Sequence, residues 1–166
     1  SDKFYQSVAA YLKANAYSTA RDPDLLSQFD LNFPAIDGVT RATDFMEEWI
    51  RLSGFPYLNV TKEGDGYRVK QERFTLSAGM DKSTTWKIPF SYYTNSQWSQ
   101  HKIRMVTQSE QLLSNDSLPD GLIKFNVGHN GFYLTNYPPE LWTAWTDALV
   151  NNYEETRLPI NDRAGL

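Results

Sequence analysis

The chain has 166 residues, 40% hydrophobic and 22% charged, with a net charge of −4, an ordinary composition for a globular chain long enough to bury a core. With an acidic balance and no basic stripe to neutralise phosphates, nucleic acid is excluded as a partner. The absence of Cys excludes disulfides, Cys-ligated zinc and thiol chemistry, and no apolar run approaches the roughly 18–20 residues of a membrane span.

Aromatic residues make up 14% of the chain, with ten Tyr and five Trp, which suits a β-rich fold or an interface. Ser1-Asp2-Lys3 opens directly in helix-like sequence without a secretory leader. Both absences, of a leader and of a membrane span, fit an excised fragment as well as a cytosolic protein.

The first fifty residues carry helical periodicity. Phe4, Val8, Tyr11 and Leu12 recur at i, i+4, i+7 and i+8, an apolar stripe on one helix face. Asp22-Pro23 has the form of an N-cap followed by proline at the first helical position, opening a short helix through Leu25, Leu26 and Phe29. Asn32-Phe33-Pro34 breaks it. A third helix is predicted over about Val39 to Leu52, with Phe45, Met46, Trp49, Ile50 and Leu52 apolar and Gly54 as its stop.

From Tyr57 the period shortens to two. Leu58 and Val60 alternate with Asn59 and Thr61, Glu63-Gly64-Asp65-Gly66 supplies a turn, and Tyr67 and Val69 resume the alternation, which predicts a β-hairpin. Further short strands are predicted at Thr84–Tyr93, Lys102–Val106, Glu110–Leu113, Leu122–Asn126 and Phe132–Thr135, separated by turn clusters at Ser114-Asn115-Asp116-Ser117 and Gly128-His129-Asn130-Gly131. Strands so closely spaced leave no room for crossover helices, so they predict an antiparallel sandwich rather than a parallel sheet. Pro138-Pro139 opens a last helix with Leu141, Trp142, Trp145 and Leu149 on one face, and Asn151 to Leu166 has the character of a linker. The fold class is therefore α+β: an antiparallel β-sandwich, Ig-like in size, preceded by a small helical segment and followed by a helix. The implied division is 1–54 helical, 55–137 sandwich and 138–166 helix and linker.

Little here carries catalytic chemistry. The two histidines, His101 and His129, have no partner at i+4, so a helical two-His metal pair is excluded; His129 in a Gly/Asn turn and His101 at a strand start are ordinary solvated residues. No G-x-S-x-G nucleophile elbow occurs. Glu47 and Glu48 diverge by about 100° on a helix and suit a solvated face better than an acid/base dyad. The glycines of Gly64-x-Gly66 sit in a hairpin turn, not between a strand and a helix, so they form no phosphate loop. An aromatic platform for sugars or peptides from Trp86, Trp98, Trp142 and Trp145 competes with core packing: Trp142 and Trp145 share a helix face, and Trp86 and Ile88 share a strand face. No catalytic, cofactor-binding or metal-binding residue is assigned. Asn59-Val60-Thr61 and Asn115-Asp116-Ser117 match the N-glycosylation acceptor pattern at a frequency that chance supplies, with Asn115 the better acceptor because it lies in a turn.

Four runs read together form a signature: Gln71-Glu72-Arg73-Phe74, Trp86-Lys87-Ile88-Pro89, Gly131-Phe132-Tyr133-Leu134-Thr135-Asn136-Tyr137, and Asp162-Arg163-Ala164-Gly165-Leu166. Their order resembles the stretch after the catalytic domain in the aminopeptidase N family of zinc metallopeptidases. Phe4 through Ala20, with Tyr11-Leu12 and Ala16-Tyr17, is similar to the helix that closes that family's thermolysin-like domain. Asp24-Leu25 resembles the Asp-Leu that follows it, with Leu26 in place of the usual Trp. Phe45-Met46-Glu47-Glu48-Trp49 and Gly54-Phe55-Pro56 resemble the domain's last helix and exit turn. In the third run Leu134, Thr135 and Pro138 replace the usual Arg, Val and Asp. The fourth run resembles the opening of the family's large helical domain.

The resemblance implies a parent enzyme that removes N-terminal residues from peptides, with zinc held by two His and a Glu of an H-E-x-x-H motif. Neither that motif nor the family's G-x-M-E-N substrate motif occurs in these residues, so none of the family's catalytic residues carries over to this chain. The implied role is a non-catalytic spacer whose partners are the neighbouring catalytic and helical domains, with zinc in the parent only and a leaning towards the extracellular face of a membrane. In isolation the apolar faces of the first and last helices are expected to drive self-association. Two other readings stay open from the residues alone: a free-standing β-sandwich binding module for peptide or glycan, and a small hydrolase.

Overall fold

The structure is a computed structural model that describes residues 2–77, 79–94, 100–113, 122–151 and 158–166. The chain forms two compact units, Ser1–Ser53 and Gly54–Leu166. The turn at 114–117, and with it Asn115, lies outside the described residues, as does Trp98.

The first unit holds three helices, α1 (Asp2–Ala14), α2 (Asp22–Asp30) and α3 (Thr43–Arg51). The α2 helix begins at Asp22, and the capping position belongs to Arg21, one residue before the expected Asp22. Asp24 at the third helical position accepts the Arg21 backbone N–H at 2.8 Å. The third helix begins at Thr43 rather than Val39. Asp37 and Gly38 both take positive φ, forming the turn that Asp-Gly favours, and Ile36 and Val39 bond each other across it. The donors at the α3 start are met by Asp30, which accepts from the Thr43 N–H and hydroxyl at 2.8 Å each. Thirteen residues separate the pair, so no local capping pattern shows it.

The expected stripe on α1 is not what this unit buries. Ser7 is 1% exposed, whereas Phe4 is 52% and Leu12 61% exposed. The Ser7 hydroxyl donates to the Gln28 carbonyl at 2.9 Å and accepts from the Asn32 amide at 3.0 Å. Phe4 lies flat against Phe29, and Phe33 tilts against Phe45, so the aromatic contacts remain while α3 buries no residue fully.

The second unit is a sandwich of two sheets. One has the order β5-β2-β1-β7, built from β1 (Pro56–Glu63), β2 (Gly66–Arg73), β5 (Glu110–Leu113) and β7 (Leu134–Asn136). The other has the order β4-β3-β6, from β3 (Ile88–Thr94), β4 (Lys102–Val106) and β6 (Ile123–Phe125). The hairpin forms as expected, with Val60 opposite Val69 and a two-residue turn at Gly64-Asp65. Leu58 and Val60 from one sheet, and Ile88 and Phe90 from the other, are completely buried, while the Tyr67 ring meets the edge of Phe125 across the sheets. The sandwich departs from all-antiparallel pairing at one ladder, where β7 runs parallel to β1.

Three strands are shorter than their sequence patterns, β6 by one residue at each end and β3 and β7 at their starts. The residues before Ile88 have no strand partner because a side chain takes that place. Gln71 accepts the Trp86 N–H at 2.9 Å and donates to the Trp86 and Gln108 carbonyls at 3.0 and 2.8 Å. Trp86 is nonetheless 1% exposed, on the buried side as its spacing from Ile88 predicts. Phe74 is only half-buried and stacks on Phe55 at 5.0 Å between ring centres. Likewise Gly131–Tyr133 is held by the Asn126 side chain before β7 begins at Leu134. Its amide donates to the Gly131 and Tyr133 carbonyls, and its oxygen accepts the Gly131 N–H.

Helix α4 (Pro139–Asn151) buries Leu141, Trp145 and Ala148, while Trp142 and Leu149 of the expected stripe are half-buried. Most of this face is therefore covered within the unit. The segment expected to be a linker contains a short helix, α5 (Ile160–Ala164), with Asp162 buried.

Candidate functional site

The densest buried polar chemistry of the second unit gathers around β6. Three residues of alternating direction make that strand, so Lys124 points away from Ile123 and Phe125. As an edge strand, β6 also presents backbone groups that no neighbouring strand pairs. Side chains meet them: the Tyr137 hydroxyl accepts the Phe125 N–H at 3.0 Å and donates to its carbonyl at 3.3 Å, and the Trp145 indole donates to the Ile123 carbonyl at 3.1 Å.

Lys124 and Asp162 are each 1% exposed. The ammonium donates to the Phe125 carbonyl at 2.6 Å and lies 3.5 Å from Asp162 Oδ1. The same oxygen accepts the Gly128 N–H at 2.7 Å, and Oδ2 accepts from the Tyr93 hydroxyl in a short contact. Gly128 lies in a 3-10 turn, Val127–His129, where Asn126 and His129 both take positive φ. Burial pulls the Lys124 amine below its ordinary range, and Asp162 opposes that shift. Burial, followed by the bond to Asp162, pushes the Tyr93 phenol well above its ordinary range. Burial raises Tyr133 to about 12.

Each charged group is thus met by protein partners, an arrangement suited to holding elements together rather than to presenting a nucleophile or base to a substrate. A cavity of about 440 Å³ lies beside the cluster, lined by Lys124, His129, Thr135, Asn136, Trp142 and Leu166 among others. Thr135 Oγ1 in its wall is buried with no hydrogen-bond partner.

Both histidines are exposed, and His129 places its imidazole over Gly165, where a β-carbon would lie 1.2 Å from Nε2. Among the described residues no three His, Cys, Asp or Glu side chains come together in a way that could hold a metal ion. Glu47 pairs with Arg51 at 3.5 Å on an exposed face. Asn59, half-buried on β1, accepts from the Asn136 amide of β7 at 2.9 Å. Trp86 and Trp145 lie in the core, which removes two of the four residues from any aromatic platform. The linear pattern does not pair Lys124 with Asp162: Asp162 enters only as the head of the fourth signature run, and Lys124 is a lone Lys inside the apolar run Leu122–Phe125.

No family model matches the chain. Relatives were found by sequence. Human endoplasmic reticulum aminopeptidase 1 is 26% identical over 99% of this chain and 20% of its own length. Puromycin-sensitive aminopeptidase of Caenorhabditis elegans is 29% identical over 98% of this chain and 17% of its own length. Tricorn protease-interacting factor F2 of Thermoplasma volcanium is 29% identical over 82% of this chain and 15% of its own length. The chain spans at most about a fifth of the curated relatives it matches. Homologues over most of the chain are aminopeptidases, as the four-run signature implied.

Proposed function

We propose that this chain is the non-catalytic spacer of a larger zinc aminopeptidase, standing between a catalytic domain and a following helical domain. The coverage carries this reading: similarity runs over 99% of the chain yet over 20% of the relative. The four signature runs support it further, because the residues in them that the structure describes have mechanical duties. Gln71 bridges the sheets, Tyr137 covers the β6 edge and Asp162 holds the last helix.

The donors a zinc site needs do not converge among the described residues. On this reading the metal and the peptide-bond chemistry belong to the parent's catalytic domain, and these residues fix where that domain and the next one sit. The test has two arms. The gene's open reading frame should continue well beyond these residues and encode H-E-x-x-H upstream. The purified chain, dialysed and analysed for metal and assayed on aminoacyl-anilides, should hold no stoichiometric zinc and show no turnover. One tightly held zinc, chelator-sensitive hydrolysis, or a reading frame confined to these 166 residues would overturn the proposal.

A further inference from the structure

Residues 158–166 lie on the sandwich, yet only Leu158 and Asp162 among them are buried. Ile160, the largest apolar side chain of α5, is 71% exposed. A helix of five residues has no stability of its own, because nucleation alone outweighs so few hydrogen bonds. The segment is therefore held by what its two buried side chains meet. Asp162 meets three separate elements: Tyr93 on β3, Lys124 on β6 and the Gly128 N–H of the 3-10 turn. Most of the unit's buried apolar side chains, Trp86, Phe90, Phe125 and Trp145 among them, come from outside the segment, which itself contributes Leu158.

We propose that residues 158–166 form a strap pinned to the sandwich by the Asp162 carboxylate, and that removing the pin releases the strap as a unit while the sandwich stays folded. Leu158 supplies an apolar attachment at the start of the segment, and Asp162 the polar one within α5. A buried carboxylate with a cationic partner holds only while the whole set is in place, since each partner left alone is costly in a dry site. The strap then fixes the path along which the chain leaves the sandwich. That consequence for a following domain rests on the spacer reading above, whereas the pin is a property of these residues alone.

Hydrogen exchange followed by mass spectrometry on the full chain tests it, comparing wild type, Asp162→Ala and the double variant Lys124→Met/Asp162→Leu. In wild type the Asp162 and Arg163 amides, both bonded to the Pro159 carbonyl, and the Gly128 amide should be protected. In Asp162→Ala these amides should exchange at least about tenfold faster, with the β1–β2 ladder unchanged. In the double variant, where apolar side chains replace both charges at similar volume, the amides of residues 162 and 163 should exchange more slowly than in Asp162→Ala, while the Gly128 amide, whose acceptor is gone, stays fast. Unchanged exchange at 160–166 in Asp162→Ala would show that the pin does not hold the strap. Equal acceleration across the β1–β2 ladder, or outright loss of the near-ultraviolet dichroism, would show that the segment is part of the core and not a strap. Recovery of the Gly128 amide in the double variant, which lacks its acceptor, would show that Asp162 is not what protects it. None of these outcomes depends on whether the parent is an aminopeptidase.

Discussion

Replacing Gln71 by Leu should be among the most damaging single changes in the sandwich. The side chain is 3% exposed and makes three hydrogen bonds, two to the backbone of Trp86 and one to the Gln108 carbonyl. Leu keeps most of the volume, so little cavity forms, and the loss is polar. Each bond contributes on the order of 1 kcal/mol net, and a buried donor or acceptor left unmade costs about 1–3 kcal/mol. Three groups lose their partner together, for a total of roughly 3–5 kcal/mol, discounted from the upper sum because the segment before β3 can relax. For a unit of this size about 1 kcal/mol moves the melting temperature by roughly 3–5 °C, so the variant should melt about 10–20 °C lower by near-ultraviolet circular dichroism. Gln71→Glu should fare no better at neutral pH, because an ionised carboxylate faces two carbonyl oxygens and can only accept. A melting temperature within about 3 °C of wild type for either variant would refute the claim that this amide substitutes for a strand neighbour.

Trp86→Ala should cost roughly 3–5 kcal/mol, the range for emptying a buried aromatic site, and a melt that does not shift would refute its burial. Gly131→Ala should destabilise by about 1–3 kcal/mol, since its methyl would lie 2.1 Å from the buried Tyr133 ring, whereas Gly165→Ala needs only the exposed His129 ring to swing aside and should cost under about 1 kcal/mol. Because burial raises the Tyr133 phenol to about 12, above an unfolded value of about 10, its contribution to stability is complete below pH 10 and is lost as pH rises through 12. Tyr93 and Tyr137 shift the same way. Phenolate absorbance should accordingly show these three tyrosines titrating late, together with unfolding, and three early, reversible titrations would contradict their burial.

The sequence made an element legible wherever one of its faces meets the core. Leu58 and Val60 alternate with Asn59 and Thr61, and the strand is where that pattern puts it. The pattern failed where a side chain supplied what a neighbouring strand or turn usually does. Thr84–Lys87 has strand composition, but Gln71 holds its backbone, and that partner is fifteen residues away from Trp86. Asp162 shows the same limit more sharply. The signature run Asp162–Leu166 includes it but says nothing of its partners, and only the fold brings Tyr93 and Lys124 to it. Amphipathic periodicity also misjudged α1, because it cannot say whether a partner covers the stripe: Ser7 is buried and Phe4 is not.

These failures bear on why the four runs form a signature at all. The strands β6 and β7 have three residues each, so many backbone donors and acceptors in this sandwich find no ladder, and buried ones must be met some other way. Gln71 meets those of Trp86, Tyr137 those of Phe125, and Asp162 the N–H of Gly128. Each of these side chains lies in one of the signature runs. Asn126 and Trp145 do the same from outside the runs, for Gly131 and Tyr133 and for Ile123, so the runs carry part of this work. A run with such a residue is tied to the fold by a buried side chain's hydrogen bond and not by ladders alone, which is a structural ground for its place in a signature shared with homologues over most of the chain.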